Sequence, residues 1–136
     1  MLKWTITYVD YDGDSHTEDF FFNLNKAEVI ELNFSHQGGY KSYIDKVIAA
    51  KDTGEVIKAV KDIIKLAYGV KSPDGKRFIK SDAETEAFVQ SEAYSELFMQ
   101  LATDEQACVK FVTGILPKEL REQASQNGLE LASPAN

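Results

Sequence analysis

A chain of 136 residues, 43% apolar and 27% charged, is long enough to bury a real core as one folded domain. No stretch approaches the ~20 continuous apolar residues of a membrane-spanning helix, and a lone cysteine, Cys108, excludes an internal disulfide. The net charge of −7 makes the chain as a whole a poor general binder of nucleic acid.

That charge is unevenly spread. Residues 1–39 carry 2 basic and 7 acidic groups, residues 40–80 carry 10 and 5, and residues 81–136 carry 3 and 10. Acidic flanks around a basic middle suit charge-complementary packing, inside the fold or between copies, or simply solvate helix faces. Met1-Leu2-Lys3-Trp4 opens a strand pattern with no apolar signal-peptide core behind it, so no export is expected.

In chain order, Trp4, Ile6 and Tyr8 alternate with Thr5 and Thr7, the period-two pattern of a half-buried strand. Asp12-Gly13-Asp14 supplies a tight reversal. The return strand sets Phe20, Phe22 and Leu24 on one face, with Asp19 and Phe21 opposite. A two-stranded hairpin is marginal alone, so its aromatic face must pack on helices or on another chain.

Asn25 and Glu28 form a capping box for a helix beginning at Lys26, with Ala27, Val29, Ile30 and Phe34 as its apolar stripe. After His36-Gln37-Gly38-Gly39, a second helix is expected from Tyr40, Tyr43, Ile44, Val47 and Ile48, stopping at Asp52-Thr53-Gly54. A third carries Val56, Val60, Ile63, Ile64 and Ala67 on one face, and Gly69 is expected to end it as a left-handed C-terminal cap.

The stretch from Tyr68 to Ser81 then reads as a compact connector, with Phe78 and Ile79 tucked inward and Lys71, Lys76, Arg77 and Lys80 facing water or Glu84, Glu86 and Glu92. Ser81 and Glu84 start a helix of about five turns through Phe88, Tyr94, Leu97, Phe98 and Leu101. Thr103 is expected to cap the next helix, which bears Ala107, Cys108, Phe111, Val112 and Ile115. Pro117 ends that helix or starts a last short one through Gln123.

The expected fold class is therefore α+β, an N-terminal β-hairpin packed on four to five helices. Residues 1–125 form a single domain (hairpin 3–24, helical part 25–125), and 126–136 form a flexible C-terminal tail.

Chemistry finds little support. Asp10, Asp12 and Asp14 match the first three ligand spacings of a calcium loop, but Ser15 replaces its glycine and Phe21 its bidentate glutamate. His16 and His36 have no Cys or carboxylate at a zinc-ligand spacing. Gly38-Gly39 lacks the rest of a phosphate-binding loop. Cys108, among Val109 and Phe111, reads as a core residue without an activating histidine. Neither catalytic residue, metal site nor cofactor is expected, and the chain reads as a non-enzyme.

Four passages do carry a likeness: Trp4 to Leu24, Ala67-Tyr68-Gly69-Val70-Lys71, the Pro73-Asp74-Gly75 turn, and Ala93-Tyr94-Ser95-Glu96-Leu97-Phe98. In their order and wording, from about Trp4 to Pro117, the chain resembles the small tail assembly chaperones of long, non-contractile-tailed bacteriophages and related prophages. The resemblance implies a non-catalytic protein that coats the long helical tape measure protein and then gives way to tail tube subunits. It would act in the cytoplasm of the infected or lysogenic bacterial host and be absent from the mature virion.

A holdase for amphipathic helices needs an apolar groove. The expected partner-binding residues are Phe88, Tyr94, Phe98 and Phe111, and weak, salt-sensitive self-association is expected from the charge division. Two readings from other classes stay open: a nucleic-acid-binding regulator using the basic 41–80 segment, and a structural tail component.

Overall fold

The computed structural model describes residues 1–35 and 54–118, with side chains at 1–32 and 57–118. The expected helix of Tyr40 to Ile48, the short helix through Gln123 and the tail from Gln126 lie outside the described residues. The architecture is α+β, with an N-terminal antiparallel hairpin and, among the described residues, five helices.

Strands β1 (Leu2–Val9) and β2 (Ser15–Phe22) pair in a register that sets Trp4 opposite Phe20 and Ile6 opposite Glu18. Gly13, at φ +92°, makes the reversal. Trp4 and Ile6 are buried and Thr5 and Thr7 exposed, as the alternation requires. On the outer face Thr5 donates to Asp19 at 2.6 Å, and the Thr7 and Thr17 hydroxyls lie 3.0 Å apart.

Helix α1 (Lys26–Ser35) opens on the expected reciprocal cap: Asn25 N–H donates to Glu28 Oε1 at 2.9 Å, and Glu28 N–H to Asn25 Oδ1 at 2.8 Å. Helix α2 (Gly54–Ala67) buries Val60, Ile63, Ile64 and Ala67.

From here the structure departs from the connector reading. Residues 68–81 hold strands β3 (Tyr68–Lys71) and β4 (Phe78–Ile79), which extend the hairpin into a four-stranded antiparallel sheet ordered β1-β2-β3-β4. Gly69 is no left-handed cap; it sits within β3, opposite Phe21. Its missing side chain is what the site demands. A Cβ there would lie 2.6 Å from the Phe78 ring and 3.0 Å from the Ile79 carbonyl, so the ring lies across bare backbone.

Lys80 is also placed differently. Rather than facing Glu84, Glu86 or Glu92, its ammonium donates to both Glu28 carboxylate oxygens at 2.8 Å, to the Asn23 carbonyl at 2.6 Å and to the Leu66 carbonyl at 3.1 Å. One cation thus ties the ends of β2 and α2 to the start of α1.

Instead of one five-turn helix there are two, α3 (Asp82–Val89) and α4 (Glu92–Thr103). Ser91 divides them: its hydroxyl donates to the Phe88 carbonyl at 2.7 Å and accepts the Tyr94 N–H, closing one helix and opening the next. Helix α5 (Glu105–Gly114) is capped by Asp104, which accepts the N–H groups of Gln106 and Ala107. The expected cap, Thr103, instead spends its hydroxyl on the Met99 carbonyl within α4.

Helix α4 packs on β1 and touches α2, α3 and α5. Phe22, Leu24, Ile63, Ile64, Leu97, Phe111 and Ile115 are fully buried around it. Cys108 lies in this core at 6% exposure. Burial, with the nearby Glu105 charge, pushes its thiol up to about 11. The native protein should therefore resist a disulfide reagent at pH 8 and react only on addition of denaturant. Stoichiometric labelling of the folded protein within seconds would contradict this burial.

Candidate partner-binding surface

The aromatic side chains form a connected series from core to surface. Phe111 meets Trp4 edge-on at 5.6 Å and Phe22 at 5.0 Å. Phe22 leads on to Tyr68 at 5.8 Å, and the Tyr68 and Phe88 rings stack at 4.3 Å and 8°. Phe88 then meets Tyr94 edge-on at 5.9 Å, and Tyr94 lies 5.9 Å from Phe98.

The four residues singled out in the sequence hold different places in this series. Phe111 and Phe88 are buried, at 0% and 3% exposure, so neither can itself be touched by a partner without rearrangement. Tyr94 and Phe98 are half-buried, packed on the core from one flank of α4. Their spacing of one helical turn sets them side by side. Burial, with the nearby Asp62 carboxylate of α2, raises the Tyr94 phenol above its ordinary range. Helix α2 touches α4, and its Asp62 carboxylate stands near this flank.

Two exposed groups escaped the sequence reading. Met99, on the polar side of α4, is 55% exposed; its position off the Ala93, Leu97 and Leu101 stripe was the available signal. Tyr11, at the hairpin tip, donates to Glu92 Oε1 at 3.1 Å and to the Gln90 carbonyl at 3.3 Å, pinning the tip to the joint between α3 and α4. That contact spans some 80 residues of sequence and has no local signature.

The polar clusters are occupied by structure. Asp10 Oδ1 accepts the N–H groups of Asp12 and Asp14, both at 2.9 Å, while Oδ2 lies 2.6 Å from His16 Nε2. The hydrogen bond to Asp10 raises the His16 imidazole above its ordinary value. Among the described residues no group of three or more His, Cys, Asp or Glu is arranged to hold a metal. Of the four connector cations, Lys80 is taken up by Glu28, leaving Lys71, Lys76 and Arg77 exposed.

The family model described as phage tail assembly chaperone matches residues 1–135. The chain belongs to that family. No curated protein and no solved structure matches it. For a tail assembly chaperone, partners are proteins of the assembling tail. Among the described residues, no helix is long and apolar enough to cross a membrane.

Proposed function

We propose that this tail assembly chaperone acts by binding the phage tape measure protein, without catalysing a reaction, and releases it as tail tube protein assembles around it. It does so in the cytoplasm of the infected or lysogenic host and is left out of the finished virion. Weak self-association, basic stretch against acidic flank, accompanies this role and weakens with salt.

The observation that carries the reading, beside the family, is the Tyr94–Phe98 flank. Two aromatics one turn apart, half-open and backed by the buried Phe88, offer the ridge that an amphipathic helix packs against. Phe88 supports this surface from beneath, and Phe111 lies deeper, connected to Phe88 through Phe22. The nucleic-acid alternative is weakened by Lys80, whose charge is spent inside the fold.

The test is co-expression with the tape measure protein of the same phage. Tyr94→Ala and Phe98→Ala should each melt within a few degrees of the parent yet leave the partner insoluble, a loss of ~2 kcal/mol or more in binding. If both variants still solubilise the partner, the surface lies elsewhere. If the parent chain never does, the tape measure reading fails.

A further inference from the structure

The sheet has two edges of different character. At one end β4 is only two residues long. At the other, β1 runs for eight residues and, among the described residues, pairs with β2 alone. Exposed edges are usually blunted by proline, inward charges or bulges. β1 has no proline, its one charge is Lys3, and its pairing with β2 is unbroken from Leu2 to Val9. Its edge is competent to accept another strand.

Beside that edge lies an open groove of about 340 Å³, with Thr5, Ile6 and Thr7 on the strand side and Met99 and Gln100 on the helix side. Helix α4 runs antiparallel to β1. Glu92 at its start is held by Tyr11 at the hairpin tip, and Gln100 accepts a hydrogen bond from Trp4 Nε1 at 3.1 Å. Its outer flank therefore walls the groove along the strand, on the side of the helix away from Tyr94 and Phe98.

We propose that this groove docks one extended segment of a partner protein, which adds to β1 as a fifth strand. Backbone hydrogen bonds along Thr5–Thr7 supply the attachment, and Met99, exposed and flexible, covers an apolar side chain of the guest.

Charge complementarity sets the guest's chemistry. Glu96, exposed and in no ion pair among the described residues, stands at the Thr7 end. Lys110, exposed, has its ammonium 5.8 Å from the centre of the Trp4 ring at the other end. The guest is therefore an alternating apolar and polar stretch with a basic residue toward Glu96 and an acidic one toward Lys110.

A second copy of this chain does not fit the edge. Of the strands, α4 packs chiefly on β1. Pairing β1 with its own copy would bring two such helices to the spacing of adjacent strands, roughly 5 Å, whereas a helix with its side chains is about 10 Å across. A bare strand has no such helix above it.

The experiment uses the full chain and a synthetic peptide of alternating valine and threonine, carrying one lysine and, about four residues on, one glutamate. Amide spectra and hydrogen exchange should show saturable shifts and slowed exchange at Thr5, Ile6 and Thr7. A peptide N-methylated on alternate amides should not bind. Glu96→Lys, a change on an exposed position, should weaken the parent peptide at least about threefold.

The proposal is overturned if no saturable shift develops at millimolar peptide, if shifts map elsewhere, or if the methylated peptide binds equally well. It is also overturned if the peptide-free chain is already a dimer with these amides protected, since a second copy then holds the edge. Because Tyr94 and Phe98 lie on the other flank of α4, none of these outcomes bears on their role.

Discussion

Replacing Phe111 with alanine should destabilise the fold by about 3–5 kcal/mol, the range for removing a fully buried phenylalanine. The ring has no exposed surface and makes edge-on contacts with both Trp4 and Phe22, so its loss removes aromatic pairing as well as apolar burial. In a chain of this length that corresponds to a fall of roughly 10–20 °C in melting temperature. Trp4 is the only tryptophan, so its emission reports directly on the vacated site. Phe111→Leu, which keeps much of the volume, should cost about 1–2 kcal/mol. An alanine variant that melts with the parent would show that Phe111 is not packed as described.

Lys80→Ala is expected to have the second largest effect, about 2–3 kcal/mol. The Lys80 side chain is 19% exposed and that of Glu28 24%, and two backbone carbonyls depend on the same cation. Removing it leaves Glu28 half-buried without its counter-ion and the Asn23 and Leu66 carbonyls short of a donor. Glu28→Ala should cost a similar amount, since it also breaks the cap on Asn25. The double variant should be less destabilised than the sum by about 1 kcal/mol or more. Strict additivity in denaturant titrations would mean that the two groups do not share one interaction.

What was legible in the sequence was what neighbouring residues decide among themselves. The alternation of Trp4, Ile6 and Tyr8 needs only the strand period, and the Asn25–Glu28 cap needs only a three-residue offset. What was not legible depended on distant partners. Gly69 looks like a helix terminator until Phe78 is seen lying over it. Lys80 looks like a solvated cation until Glu28, more than fifty residues earlier, is folded against it. Ser91 carried a local signal for a break, but the surrounding apolar stripe ran across it and outweighed it.

The candidate surface was half legible for a related reason. Helical periodicity places Phe88, Tyr94, Phe98 and Phe111 on apolar faces without saying what covers each face. Trp4 and Phe22 of the sheet cover Phe111, and Phe20, Phe22 and Tyr68 enclose Phe88, while Tyr94 and Phe98 remain half-open.

The sheet order has a temporal side. The hairpin leaves the ribosome before β3 and β4, yet the sheet it belongs to is completed only when Phe78 and Ile79 have been made, and the Leu24 N–H receives its acceptor only with Ile115. Until then the aromatic face of the hairpin lacks its contacts with Phe88 and Phe111, and those contacts close loops of up to about a hundred residues. A nascent chain of this kind itself passes through an interval of exposed apolar surface, so this tail assembly chaperone completes its own core only when α5 has been made almost to its end.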